Sequence, residues 1–267
     1  MTVEAPIGAP PTAAGVSAEG EGKGKSFLRG NYDLLVSPVI VIVGLAVAFG
    51  SVFSQDLDDI EARILTASSI TTALERHLLL TVLSTILVLL VAIPLGVLIS
   101  RPRARRIQGT VLAIGGFGQA LPPFGLIVLL AFILGFNVPT AVIALALAAF
   151  LPVLRNTVVG LQQVDNALIE AARGMGMSAR QTLFRVEIPL AVPVIIAGLR
   201  VALVLNVGTA ALATYVGAGG LGDIVDQALK LNRFPVLVIG ASIIAALALL
   251  VDWLAGIVER IIVARSS

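Results

Sequence analysis

The sequence predicts an all-α polytopic membrane protein with six spans, and three observations predict it. Of 267 residues 58% are hydrophobic and 13% charged, against ~25% charged in a soluble domain. The uncharged runs have bilayer-matching lengths: 34–53, 78–100, 107–154, 188–222 with Arg200 inside, and 234–251. A hydrocarbon core of ~30 Å takes ~20 helical residues. None of the runs alternates with a period of two, so helices rather than barrel strands satisfy their backbone in lipid. The absence of cysteine excludes a disulfide framework and a thiolate metal site, and the single histidine leaves little for acid–base chemistry.

In chain order, residues 1–30 are rich in Gly, Ala, Pro, Glu and Lys and read as a disordered cytoplasmic tail. They lack the apolar core of a cleaved signal peptide. Gly24-Lys25-Ser26 imitates the end of a phosphate-binding loop, but the glycine it requires is Glu19, so no nucleotide site is read here. The permease-like body, 31–267, holds spans near 34–53, 78–100, 109–134, 139–159, 189–212 and 235–258. The loop 54–77 is acidic and reads as a solvated connection or a short amphipathic helix. His77 closes it as an interfacial residue at the mouth of the second span. Thirteen of the 18 Lys and Arg fall on the side that holds both termini; four (Arg63, Arg76, Lys230, Arg233) fall on the other. Positive charge marks the cytoplasm, so both termini are expected there. The basic balance is then topological and implies no nucleic-acid partner.

Between the fourth and fifth spans lies one sizeable cytoplasmic loop, a hairpin over 165–188. Asp165 is a helix N-cap ahead of good helix formers, and Gly174 and Gly176 supply stops. Ser178-Ala-Arg-Gln181 is a capping box opening a second short helix, which Pro189 ends. Leu168, Ala171, Ala172 and Met175 form an apolar stripe at helical spacing. The hairpin either rests on the bilayer or fits a groove in a cytoplasmic partner.

At this loop the chain resembles the permease subunits of binding-protein-dependent type I ABC importers. Their signature, E-A-A, three residues, G, nine residues, I-x-L-P, stands here as Glu170-Ala171-Ala172, Gly176 and Val186-Glu187-Ile188-Pro189. The segments Pro152–Thr157, Leu168–Met177, Gly198–Val201 and Tyr215–Gly222 look like the osmoprotectant branch, which imports glycine betaine, choline or carnitine. The resemblance implies a methionine-importer-like core of six helices. It implies ATPase coupling through Glu170, Ala171, Ala172, Gly174, Gly176, Ser178 and Pro189. It also implies two cytoplasmic ATPase subunits that hold ATP and Mg²⁺, a second permease subunit, identical or homologous, and an extracytoplasmic substrate-binding protein. This chain would carry no cofactor, no metal and no catalytic residue, and would sit in a bacterial cytoplasmic (inner) membrane. A permease for methionine or another amino acid, and an ion-coupled transporter, are the alternatives. The latter needs intramembrane acids, and only Asp252 comes near.

For the translocation path, polar and helix-breaking residues inside spans are the candidates: Gln119, Pro122, Asn206 and Thr209. Gly217, Gly219 and Gly220 belong to irregular backbone outside span five, which is a gate or a packed turn. Gly217, Gly219 and Gly222 also match dinucleotide-loop spacing but lack its strand. Arg200 is the one charge deep in a span and is expected to meet Asp252 or share a hydrated vestibule with it.

Overall fold

The computed structural model describes residues 21–266, with side-chain surroundings given over 35–264. All described regular structure is helical. Helix α1 covers Glu21–Phe53. The expected tail therefore falls outside the described residues over 1–20, while 21–30 are helical, because extending a helix already nucleated in the span costs little. Helix α2 (Asp59–Ile64) is the short helix of the acidic loop, opened by a capping box between Asp58 and Glu61. Helix α3 (Ala67–Ile99) begins well before residue 78. Its first turns are polar, so charge marks the membrane edge and not the helix end. His77 consequently lies inside a helix and is fully buried, packed against span five rather than open to solvent.

The third span is not a single kinked helix. The segments Pro102–Ala120 and Pro123–Leu134 meet at 97°. The first ends in helices α4 (Arg105–Gly115) and α5 (Phe117–Ala120), and the second is α6. Pro122 and Pro123 remove two donors, and Leu121 before them takes an extended conformation (ψ 143°), as residues preceding proline do. Helix α7 (Val138–Gln162) follows, capped by Asn137, whose side chain accepts the Thr140 N–H. Helices α3 and α7 run the same way. Leu80 shares a core with Ala141 and Leu145 at one end, and Gly96 lies against Thr157 at the other. Their connection must cross once, so the bent pair counts as the sixth crossing beside five helices long and apolar enough to span.

Helix α8 (Asn166–Gly174) and helix α9 (Ala179–Thr182) form the hairpin. The second does not stop at Pro189. It runs through one turn of π-helix, Leu183–Glu187, into α10 (Ile188–Ala210), a continuous 38-residue helix over Ala179–Val216. A proline ring crowds the carbonyl four residues back, and a wider turn just before it absorbs that clash. Helix α10 tightens to 3₁₀ over Ala211–Val216. An unanticipated helix α11 (Leu221–Leu231) buries Leu221, Ile224 and Ala228 and exposes Lys230, which pairs with Asp226 at 2.6 Å. Helix α12 (Phe234–Ser266) completes the chain.

Arg200 on α10 meets Asp252 on α12 in a two-pronged pair at 2.7 and 2.8 Å. A second acid, Glu259, lies 3.2 Å from its Nη1. Gly256, one turn beyond Asp252, lets the guanidinium lie against the helix, since a Cβ there would come within 3.3 Å of it. An unpaired arginine in a span costs ~2.5–3.5 kcal/mol, and this arrangement removes that cost.

Two stability predictions follow. A Cβ at Gly222 would penetrate the Ala211 carbonyl, whereas one at Gly44 meets nothing within 4 Å. Gly222→Ala is expected to lose about 1–3 kcal/mol and several degrees of melting temperature in detergent, with Gly44→Ala unaffected. Asp252→Asn is expected to lose about 2 kcal/mol, part of the unpaired-arginine cost. Arg200→Leu with Asp252→Leu should cost less than the two single changes summed, because losing Asp252 adds little once the arginine it pairs with is gone, and Glu259 is then the one acid of the cluster left without its partner. Thermal melting of the four proteins checks it.

Candidate functional site

The hairpin is built from two local motifs. Asp165 Oδ1 accepts the Ala167 N–H at 2.8 Å and starts α8. At its other end the Met177 N–H reaches Ala172 O at 3.1 Å and the Gly176 N–H reaches Arg173 O at 2.9 Å. That is a Schellman stop, and it puts the residue after the cap in the left-handed region. Gly176 holds that place with φ 83°. Ser178 and Gln181 then cap α9 reciprocally, at 2.8 and 3.3 Å. The sequence reading of the turn thus has a hydrogen-bond basis at Gly176 and Ser178. Gly174 is the last residue of α8 with open space around it.

Only one residue of the α8 apolar stripe packs inward. Ala172 is 2% exposed, while Leu168 and Met175 are 48% and 73% exposed. Glu170 and Ala171 are exposed as well. Phe184 adds a further exposed apolar surface, with the Arg180 guanidinium 5.9 Å from its ring centre. This is an apolar knob ringed by charge on the arginine-rich face of the molecule. Behind α8 lies a cavity of about 380 Å³ walled by α8, the turn after α3 and the π-turn. In that wall Arg101 pairs with Glu187 at 2.7 Å. Neither residue was singled out from the sequence; the available signal was Glu187, an acid in an otherwise apolar helix start. Pro189 is exposed beside it, in the first turn of α10.

The path candidates separate into two groups. Gln119, Pro122 and Gly217 are exposed on this chain. The bend at Pro122 and the 3₁₀ segment before Gly217 are brought together by Phe124 and Tyr215, whose rings meet edge to face at 5.1 Å. Asn206, by contrast, is fully buried and donates to Thr85 Oγ1 at 3.0 Å. Thr209 turns its hydroxyl back to Leu205 O at 2.7 Å. These are the interhelical and local hydrogen bonds that polar residues make inside bundles. Gly219 and Gly220 are buried with φ 77° and 114°, packed by Arg76, Asp223 and His77. His77 Nε2 stands 2.9 Å from Val207 O, near the end of α10. Asp223 receives the Thr214 hydroxyl in a short hydrogen bond across the glycine turn. The glycine segment is therefore a braced, folded loop at the end of span five.

Residues 92–263 match the family described as binding-protein-dependent transport system inner membrane component. The osmoprotectant import permease protein OsmY of Salmonella typhimurium is 44% identical over 67% of this chain and 76% of its own. The carnitine transport permease protein OpuCD of Listeria monocytogenes is 42% identical over 69% of this chain and 82% of its own. Among solved structures, an inward-facing form of the MetNI methionine ABC transporter aligns with a TM-score of 0.65 and 25% identity, covering 72% of this chain and 95% of that one. The chain belongs to the family of binding-protein-dependent transport system inner membrane components, as a multi-pass permease subunit of an ABC importer, which is no enzyme itself and serves with an ATPase and a substrate-binding protein.

Proposed function

We propose that this subunit forms the translocation path for a small quaternary-amine osmoprotectant such as glycine betaine, choline or carnitine. The observation that carries the reading is the similarity to osmoprotectant and carnitine permeases over two thirds of the chain, at 44% and 42% identity. The exposed, glycine-jointed hairpin supports the coupling role of Glu170, Ala171, Ala172, Gly174, Gly176, Ser178 and Pro189. Leu168, Met175 and Phe184 present apolar surface that a groove on an ATPase would cover. ATP and Mg²⁺ are held by two copies of that partner and not by this chain. A second permease subunit completes the path, and an external binding protein delivers the solute. The bias of Lys and Arg supports both termini in the cytoplasm.

The mechanism is alternating access. Closure of the ATPases on ATP draws the two hairpins together, and the attached helices turn as bodies and exchange an inward-facing cavity for an outward-facing one. With one Trp and two Tyr beside ten Phe, this subunit has few of the rings that best hold a quaternary ammonium group. The binding protein supplies affinity, and the permease offers a weak passage that can release its cargo.

The test is uptake of labelled glycine betaine, choline, carnitine and methionine by the reconstituted complex. ATP-dependent uptake of at least one of the first three is expected, with Glu170→Ala lowering it roughly tenfold while the subunit stays folded. Methionine uptake alone, or uptake driven by an ion gradient without ATP, would overturn the reading.

A further inference from the structure

Glu187 is the only acid in the 38-residue helix Ala179–Val216. It is the last residue of the π-turn, where the hairpin becomes a span, and it is 4% exposed. A carboxylate in such a place needs a partner, and it has one in the turn just beyond α3. Arg101 follows α3 directly and brings Nη1 to 2.7 Å of Glu187 Oε2. Its Nε donates to Val97 O at 3.2 Å, a carbonyl at the end of α3 that the Ser100 hydroxyl also meets at 2.9 Å. Arg101 thus bridges the end of span two to the root of the hairpin. Its Nη2 is buried without an acceptor, so its hydrogen-bond set is incomplete in this conformation. The cavity beside it has Glu170 and Arg173 of α8 in its opposite wall.

We propose that Arg101 and Glu187 are positioning residues that pass hairpin motion to span two. The proposal rests on the reading of this chain as an ATP-coupled permease subunit. A π-turn carries its hydrogen bonds five residues back, here from the Ile188 N–H to Leu183 O, and such turns are wide and recur at functional sites. Without a second attachment, a pull on α8 and α9 would pivot there and be absorbed. The ion pair fixes the last residue of the turn to α3. Spans two and five then move as one body, and the cavity behind α8 is the space into which the hairpin travels. An advancing Glu170 supplies the acceptor that Arg101 Nη2 lacks.

The experiment uses the full complex, permease with ATPase and binding protein, in liposomes. It reads solute moved per ATP hydrolysed, co-purification of the ATPase, and melting temperature. Glu187→Gln and Arg101→Gln are expected to lower solute per ATP at least fivefold while the ATPase still co-purifies. The exchange Arg101→Glu with Glu187→Arg is expected to recover at least half of the ratio. The chain has no cysteine, so Arg101→Cys with Glu187→Cys can be bridged by a short bis-maleimide on the purified subunit before the complex is assembled. That protein should be uncoupled before bridging and recoupled after it. The proposal is overturned if the single variants keep the ratio within twofold. It is overturned equally if transport and hydrolysis fall together with loss of assembled complex, or if bridging leaves the double-cysteine protein uncoupled. Wild-type complex that moves no solute with ATP would instead sink the permease reading itself, so the two failures are distinct.

Discussion

The arrangement depends on close approach along α7. Helices in lipid gain nothing by hiding apolar surface from hydrocarbon, so they associate through van der Waals contact at small residues. Helix α7 carries Ala141, Ala144, Ala149, Val153, Thr157 and Gly160 buried in helical sequence. Glycines on α7 and on its neighbours permit the contacts. A Cβ at Gly96 would come 2.7 Å from Thr157, one at Gly198 would come 2.8 Å from Pro152 O, and one at Gly160 would come 3.0 Å from Ala191 O. Gly118 sits against the Leu147 backbone in the same manner. These contacts set the spacing of α3, α5 and α10 around one helix. The position of the hairpin and the bend of span three are consequences of that spacing.

Polar side chains then appear where the helices are imperfect. A backbone group freed by a break has no water to turn to within hydrocarbon. As α10 passes into 3₁₀ geometry, His77 reaches across from α3 to Val207 O. Where α6 gives way to α7, the Asn137 side chain accepts the Thr140 N–H, and the Thr140 hydroxyl covers Gly135 O at 2.7 Å. Arg200, Asp252 and Glu259 follow the same logic with full charges, each supplying what another lacks. The polar content of the spans is small and is spent on these defects.

Much of this was legible in the sequence, and the reasons for the rest are specific. The five straight spans follow from uncharged length, and Gly176 and Ser178 follow from stop and cap chemistry that acts within a few residues. The Arg200–Asp252 pair follows from the scarcity of charge in spans. The bend at Pro122-Pro123 was legible as a break but not as 97°, because the angle is set by how α6 packs on α7 and on the 3₁₀ segment. Helix α11 was hidden behind its glycines, whose loop spacing masks the amphipathic run after them. Arg101 and Glu187 lie 86 positions apart, and no local pattern pairs them. Asn206 reads equally as a path residue and as a packing residue until Thr85 is placed beside it.

The long helix from Ala179 to Val216 gives these pieces a mechanical order. At 1.5 Å per residue it is roughly 55 Å long, enough to reach from the hairpin through a bilayer to the glycine loop. Pro193 inside it does not break it, and it departs from α geometry at the π-turn at its root and at the 3₁₀ segment at its far end. A displacement that passes the π-turn therefore reaches the 3₁₀ segment that carries Tyr215 without meeting another departure from α geometry. The Schellman stop and the capping box make the hairpin stiff on the near side of that turn, and the glycine loop is braced by Arg76, His77 and Asp223 on the far side. Since Arg76 and His77 belong to α3, span two is tied to span five at both ends: by Arg101–Glu187 at the hairpin and by His77–Val207 at the loop. Two helices pinned at both ends cannot slide past each other without breaking a buried polar contact, so the low-cost motion is a rotation of the pair together. A rotation of that kind is the rigid-body movement the proposed alternating access would use, with the hairpin as its handle.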